Sequence, residues 1–157
     1  MSDNFQVRID GLDVIIDRMA LLSTAVQRRI ARRAVRAGAN QIARQARLNA
    51  KALDDPDTPE AIYKNITVRT ASRLGRKAGG VADRIGVMGG GVKPTKGLVN
   101  SALRGGDTWY WWHVELGTSR RTATPFMRPA IAQSANAAFN ATADTMQRLI
   151  NDEVAKL

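Results

Sequence analysis

Residues 109–131 read WYWWHVELGTSRRTATPFMRPAI and begin with a run of aromatic side chains. The large rings alternate, so that Trp109 and Trp111 fall on one side and Trp112 on the other. Such a two-residue period is typical of a β-strand, whose successive side chains point to opposite faces. We therefore predict an aromatic strand from Trp109 to Glu115, with one tryptophan face in the core and the other against a partner.

The second half of this stretch predicts a turn followed by a helix. Gly117 and Thr118 suit a tight turn, since glycine adopts backbone conformations that are closed to other residues. Thr124 and Pro125 are typical of a helix start. The C-terminal helix that follows carries an apolar stripe at helical spacing. Its predicted members are Met127, Ile131, Ala135, Ala138, Phe139, Thr142, Met146, Leu149 and Ile150.

Residues 24–53 predict a second long helix with two different sides. The side expected to pack inward carries Val26, Ile30, Ala34, Gly38, Ile42 and Ala46. The opposite side is basic and carries Arg28, Arg29, Arg32, Arg33, Arg36 and Arg47. This basic face has three interpretations: a solvated surface, a docking surface for an acidic partner, or a surface that approaches nucleic acid.

Shorter elements are predicted elsewhere. Alternating apolar residues indicate strands at Phe5–Ile9, near residues 66–70 and near residues 81–88. A helical pattern covers Leu12–Leu22. The segment 54–60, DDPDTPE, ends the long helix, because proline cannot continue one.

Glycine is concentrated in one region of the chain. Ten of the 13 glycines lie between Gly75 and Gly106. We predict a flexible Gly-rich arm over about residues 75–107, either a working loop or a tolerated insertion. The whole chain, residues 1–157, is expected to form a single domain. Its fold class is α+β: a small, mainly antiparallel sheet packed by the long basic N-terminal helix and the C-terminal helix.

Composition narrows the possible partners. The net charge is +10, and such a surplus attracts polyanions. The absence of cysteine excludes disulfides and thiolate metal sites. No secretory signal or apolar run of membrane-spanning length occurs, so we expect a soluble protein that is made in the cytoplasm and has no membrane partner.

Candidate catalytic and metal sites are incomplete. His113 and Glu115 echo part of a hydrolytic zinc motif, but the further ligands such a site needs are missing from the sequence. The acidic segment 54–60 does not have calcium-loop spacing, and Asp57 with Glu60 suggests a capping box instead. GVMGGG at residues 86–91 is not a phosphate loop. We predict no enzyme activity, no metal and no cofactor.

One motif resembles a known family. The residues Glu115, Gly117, Thr118, Pro125, Phe126, Met127, Arg128, Pro129 and Ala130 resemble the signature of the small head–tail joining (neck, tail-completion or minor tail) proteins of long-tailed bacteriophages. The resemblance implies a structural virion protein at the head–tail junction, present in the host cytoplasm during assembly. It further implies a homo-oligomeric ring, six-fold or twelve-fold, around the DNA channel. Head-closure and tail-terminator or tail-tube proteins would be its neighbours, with transient contact to genome DNA.

A second hypothesis rests on charge alone. The basic face and the net charge of +10 are also typical of a sequence-independent nucleic-acid-binding protein. No helix-turn-helix, zinc-finger or RNA-recognition signature accompanies them. Both hypotheses therefore remain open from the sequence.

Overall fold

The computed structural model of the protein describes residues 12–89 and 103–157, so the predicted strand Phe5–Ile9 lies outside the described residues. Within these ranges the fold is α+β, as predicted. In chain order the elements are α1 Leu12–Ala20, α2 Thr24–Ala52, α3 Ile62–Asn65, β1 Ile66–Thr70, α4 Ser72–Lys77, β2 Asp83–Val87, α5 Trp111–Leu116 and α6 Met127–Val154.

The two long helices, α2 and α6, form the largest packed interface of the fold. They approach closely at Gly38, where an added Cβ would lie 2.8 Å from the carbonyl oxygen of Ala138 and would collide with the Thr142 hydroxyl. Further along, the Asn49 amide donates to the backbone oxygen of Phe126 at 3.1 Å and to the Gln133 side chain at 2.9 Å. The predicted small-residue side of α2 is therefore the side that meets α6.

Among the residues that the structure describes, the sheet is a two-stranded antiparallel hairpin that lies against α2. Its register pairs Ile66 with Val87 and Thr70 with Asp83. Arg36 of α2 binds both carboxylate oxygens of Asp83, at 2.5 and 2.9 Å, and so ties β2 to the helix. Arg47 donates to the backbone oxygen of Ile66 at 2.8 Å and ties β1 to the same helix.

Two apolar clusters form the core. The larger one is built from small residues of α2 around Phe126 and Ile66, with Trp111 and Val114 packed against it. The smaller one lies at the other end of α2, where Ile30 meets the C-terminal part of α6.

Asn65 holds the segment that begins at residue 103. Its side chain forms hydrogen bonds with Thr108 at 2.8 Å and with the backbone of Gly105 at 2.9 Å.

The predicted aromatic strand from Trp109 to Glu115 is wrong. Residues Trp111–Leu116 form α5, a short helix that ends at Gly117. Trp111 and Val114 are three residues apart and both pack against the larger core cluster, which is helical spacing. A six-residue segment is compatible with the two-residue period of a strand and with helical spacing, and packing against the core favours the helix.

Over the first half of the C-terminal helix, the predicted apolar stripe is confirmed at Ala138 and wrong at Ile131, Ala135 and Phe139. The buried residues there are Ala130, Ser134 and Ala138, while Ile131 is 57 % exposed and Phe139 is 37 % exposed. The close approach of α2 at Gly38 explains the difference, because only small side chains fit at such a seam. The second half of the stripe is confirmed, since Leu149 and Ile150 are buried.

Smaller corrections concern helix starts and the glycine-rich region. Helix α6 begins at Met127, two residues later than the Pro125 start. The capping box of Asp57 and Glu60 is not formed, since α3 starts after Ala61. Of the predicted arm, residues 75–89 contain the end of α4 and all of β2, and residues 90–102 lie outside the described residues. Within the described ranges, none of the helices has the length and apolar character needed to cross a membrane.

Candidate interaction surfaces

The Glu115 carboxylate is the structural centre of the sequence motif. It accepts backbone N–H bonds from Phe126 at 2.8 Å and Met127 at 2.9 Å through Oε2, and from Arg128 at 3.0 Å through Oε1. These donors open α6, where a helix presents unpaired N–H groups and partial positive charge. The carboxylate of α5 therefore caps α6 from eleven residues upstream and sets the angle between the two helices.

The side chain of Arg128 also binds Glu115. Its Nε lies 3.3 Å from Glu115 Oε1, and its Nη2 donates to the Glu115 backbone oxygen at 2.8 Å. Burial acts to raise the pKa of Glu115. The three backbone bonds and the Arg128 bond together outweigh that effect and hold the pKa below its usual value. Glu115 is thus an ionised, buried structural group.

Gly117 allows the chain to turn back toward α6. Its φ is +77°, a left-handed conformation in which a side chain is strained. An added Cβ would also lie 2.8 Å from the nitrogen of Ala123. Thr118 pairs with Arg121 across the tight loop, which confirms the predicted turn.

The remaining motif residues divide between the core and the surface. Phe126 and Ala130 are fully buried in the larger core cluster, and Met127 packs against it. Pro125 and Pro129 are half-buried on either side of the helix start. The structure places Phe126 inside the molecule and binds Arg128 to Glu115.

The aromatic residues form one cluster with His113. Trp112 stacks on the imidazole at 3.7 Å between ring centroids, and Trp109 meets it edge-on at 5.8 Å. Within the part of the chain that the structure describes, the buried atoms Trp112 Nε1 and His113 Nδ1 have no hydrogen-bond partner. Among the described residues, no group of three or more acidic or histidine side chains could hold a metal ion.

The six arginines of the predicted basic face serve different purposes. Arg36 and Arg47 hold the β-hairpin, and Arg29 pairs with Glu153 of α6 at 2.9 Å. Arg28, Arg32 and Arg33 are exposed. The face is therefore not one continuous basic stripe, a division that helical spacing alone could not reveal because it depends on where the hairpin packs.

The fold forms two charged surface features that could not be located from the sequence. A cleft of about 490 Å³ between α2 and the α4–β2 segment is lined by Arg28, Arg32 and Arg76. At the opposite end of α2, the acidic turn at residues 54–60 borders a second cavity of about 410 Å³. Arg76 belongs to the glycine-rich region, so its position beside Arg28 could be recognised only from the structure.

Comparison with known proteins identifies the family. The sequence model of the HK97-gp10-like family, described as "Bacteriophage HK97-gp10, putative tail-component", matches residues 13–117, about two thirds of the chain. The match includes Glu115 and Gly117 and ends before the start of α6. No curated protein and no solved structure matches the chain. The chain therefore belongs to the HK97-gp10-like family of bacteriophage structural tail components.

Proposed function

We propose that this phage structural protein forms a ring at the head–tail junction of the virion. The ring, six-fold or twelve-fold, joins the head-closure protein to the tail-terminator or tail-tube protein around the DNA channel. The protein acts by shape and charge, without catalysis and without a cofactor. It assembles in the host cytoplasm and remains in the particle.

The observation that carries this proposal is an apolar stripe left uncovered on α6. Ile131, Ala135 and Phe139 follow one another at four-residue spacing on the exposed side of the helix. Ile131 and Phe139 are large side chains, 57 % and 37 % exposed. A row of apolar residues on an otherwise charged protein is typical of a surface that a partner covers.

The Glu115 cap supports the same function. By fixing the start of α6 on α5, it gives the exposed stripe a defined direction relative to the rest of the molecule. The exposed loop of Arg120 and Arg121 lies between these two helices. A rigid apolar stripe beside a basic loop matches the apolar centre and arginine-rich margin common in protein interfaces.

The direct test uses phage particles that lack the protein. We expect electron micrographs of lysates from a gene deletion to show filled heads and finished tails that are not joined. Expression of the wild-type protein from a plasmid should restore joined, infectious particles. Normal particles in its absence would contradict the proposal.

Sequence-independent nucleic-acid binding is the second candidate function. It is favoured by the exposed Arg28, Arg32 and Arg33 on α2, which form no ion pair with any carboxylate in the described part of the chain. If this is the main function, binding of duplex DNA should weaken steeply with salt, with a slope of about −0.9 for each phosphate contact in a log–log plot. No binding at low salt would eliminate this candidate. Binding without any joining defect in the deletion would favour it.

A further inference from the structure

The arginine-lined cleft carries unbalanced positive charge. Arg28 and Arg32 come from α2 and Arg76 from the last turn of α4, and all three are exposed. Across the described ranges, none of the three forms an ion pair with a carboxylate. Asp83, an acidic residue in the cleft wall, is held by Arg36 and compensates that residue instead. The cleft is therefore a concave site for a multiply negative group.

The acidic turn carries the opposite charge. Asp54, Asp55, Asp57 and Glu60 follow directly after α2, and none of them pairs with a basic residue within the described part of the chain. Their negative charge affects a neighbouring side chain. The pKa of Tyr110 is raised mainly by burial and further by the charges of Glu60 and Asp54.

The acidic turn also has a defined shape. The Asp57 backbone N–H donates to the Asp55 side chain at 3.0 Å, and the Thr58 hydroxyl donates to the Asp55 backbone oxygen at 3.0 Å. Two prolines, Pro56 and Pro59, restrict the backbone further. An exposed turn held in this way loses little conformational freedom on binding.

We infer that copies of this chain associate head to tail, with the acidic turn of one copy seated in the arginine-lined cleft of the next. The two features lie at opposite ends of α2, roughly 30–40 Å apart at the helical rise of 1.5 Å per residue, so they do not neutralise each other within one molecule. A contact between two different surfaces of identical subunits is heterologous, and it closes into a ring when the rotation allows. This inference rests on the ring assembly proposed above and supplies its subunit contact.

DNA is the other polyanion that the cleft could meet, and the structure favours it less. A duplex presents a long row of phosphates, and strong binding uses several basic residues along one track. Of the α2 arginines, two line the cleft, two hold the hairpin and one pairs with α6, which leaves only Arg33 and Arg44 exposed outside these contacts in the described part of the chain. A concave site with three guanidinium groups fits a compact cluster of carboxylates on a turn better than an extended phosphate backbone.

The test uses the purified full-length protein in sedimentation velocity and native mass spectrometry at low and high salt. We expect wild type to self-associate at low salt and to dissociate as salt rises. Arg28→Glu with Arg32→Glu should remove the cleft, and Asp55→Lys with Asp57→Lys should remove the turn, each weakening self-association roughly tenfold or more. Arg44→Glu and Asp144→Lys, exposed charges outside both features, serve as matched controls and should associate like wild type.

The decisive arm mixes the two double variants. One retains an intact turn and the other an intact cleft, so a head-to-tail contact predicts heterodimers that cannot extend further. A mixture that stays monomeric, or wild type that stays monomeric at low salt, would overturn the inference. Cleft variants that lose DNA binding while self-association is unchanged would overturn it in favour of DNA.

These results are separable from the test of the proposed function. If the deletion still blocks head–tail joining while the charge variants assemble normally, only the inferred contact fails. If particles form without the protein, the junction function fails even where the purified protein associates. Unchanged thermal unfolding of each variant confirms that the folded state is being compared.

Discussion

At the scale of single residues, Glu115 does the most to define this protein. One carboxylate satisfies three backbone donors and one guanidinium, and it does so with 5 % of the residue exposed. Its position in the motif, eleven residues before Phe126, reflects the length of loop needed to bring α5 back to the start of α6. The motif therefore corresponds to a helix cap whose acceptor and donors are eleven or more residues apart in the sequence.

We predict that Glu115→Gln destabilises the fold by about 2–3 kcal/mol, since hydrogen bonds to a charged acceptor are the stronger kind and an amide nitrogen would face backbone donors. Urea unfolding followed by circular dichroism measures the change. Asp144→Asn, an exposed acid on the same α6, is the control and should stay within about 0.5 kcal/mol of wild type. Equal stabilities of the Glu115 variant and wild type would show that the cap contributes little.

The lowered pKa of Glu115 also predicts how stability depends on pH. The folded pKa lies below the unfolded value of about 4.3, so the stabilisation is complete above that pH and is lost as pH falls through the folded pKa. The stability difference between wild type and Glu115→Gln should therefore shrink as the pH falls below the unfolded pKa of about 4.3. Urea unfolding at several pH values tests this, and a difference that grows on acidification would contradict the assigned sign.

At the scale of elements, the α2–α6 pair depends on Gly38. A methyl group there would press on the Ala138 carbonyl and the Thr142 hydroxyl. We predict that Gly38→Ala destabilises the protein by about 1–3 kcal/mol through overpacking, even though alanine is the better helix former by about 1 kcal/mol. Thermal or urea unfolding gives the value.

Two further variants isolate the cause of that loss. Asn40→Ala, an exposed site on the same helix, should be neutral or slightly stabilising, because it gains helix propensity without a new contact. Gly38→Ala combined with Thr142→Ala should recover only part of the stability, since the Ala138 carbonyl remains in the way. Stabilisation by Gly38→Ala alone would mean that the helices separate easily.

The same elements show what the sequence could and could not predict. The long helix α2, the hairpin strands and the Gly117 turn were predictable, because their periods and turn residues agree with their tertiary surroundings. The buried side of α6 was predictable only in part, because the seam at Gly38 buries Ala130 as well as the predicted Ala138 and leaves the larger Ile131 and Phe139 exposed. Hydrophobicity predicted the larger residues, whereas helix separation decided the outcome.

The site was partly predictable for a similar reason. Glu115 and Gly117 could be recognised as members of a motif, but their task could not, because it depends on how a short helix meets a distant helix start. The aromatic segment was assigned the wrong period, since Trp111 and Val114 reveal helical spacing only once their packing against the larger core cluster is known. The division of the arginines likewise depends on the hairpin, which reaches Arg36 and Arg47 through tertiary packing.

At the scale of the whole molecule, variants in the exposed stripe on α6 allow folding and the proposed assembly to be tested separately. Burial of Ile131 and Phe139 in the isolated subunit is incomplete, since Ile131 is 57 % exposed and Phe139 is 37 % exposed. We predict that Ile131→Ser with Phe139→Ser lowers the free energy of unfolding by no more than about 2 kcal/mol, because both side chains are only partly buried. The same variant should fail to restore joined particles in the deletion background, as judged by electron microscopy.

Leu21→Ser is the matched control for this variant. Leu21 is 64 % exposed and lies between α1 and α2, away from the stripe. If apolar exposure as such were required, for example to keep the subunit associated non-specifically, the control would show the same defect. If the stripe is a specific interface, the control should join heads to tails like wild type. A stripe variant that unfolds more easily than the control by several kcal/mol would instead place these residues in the core of the subunit, and assembly loss would then follow from folding.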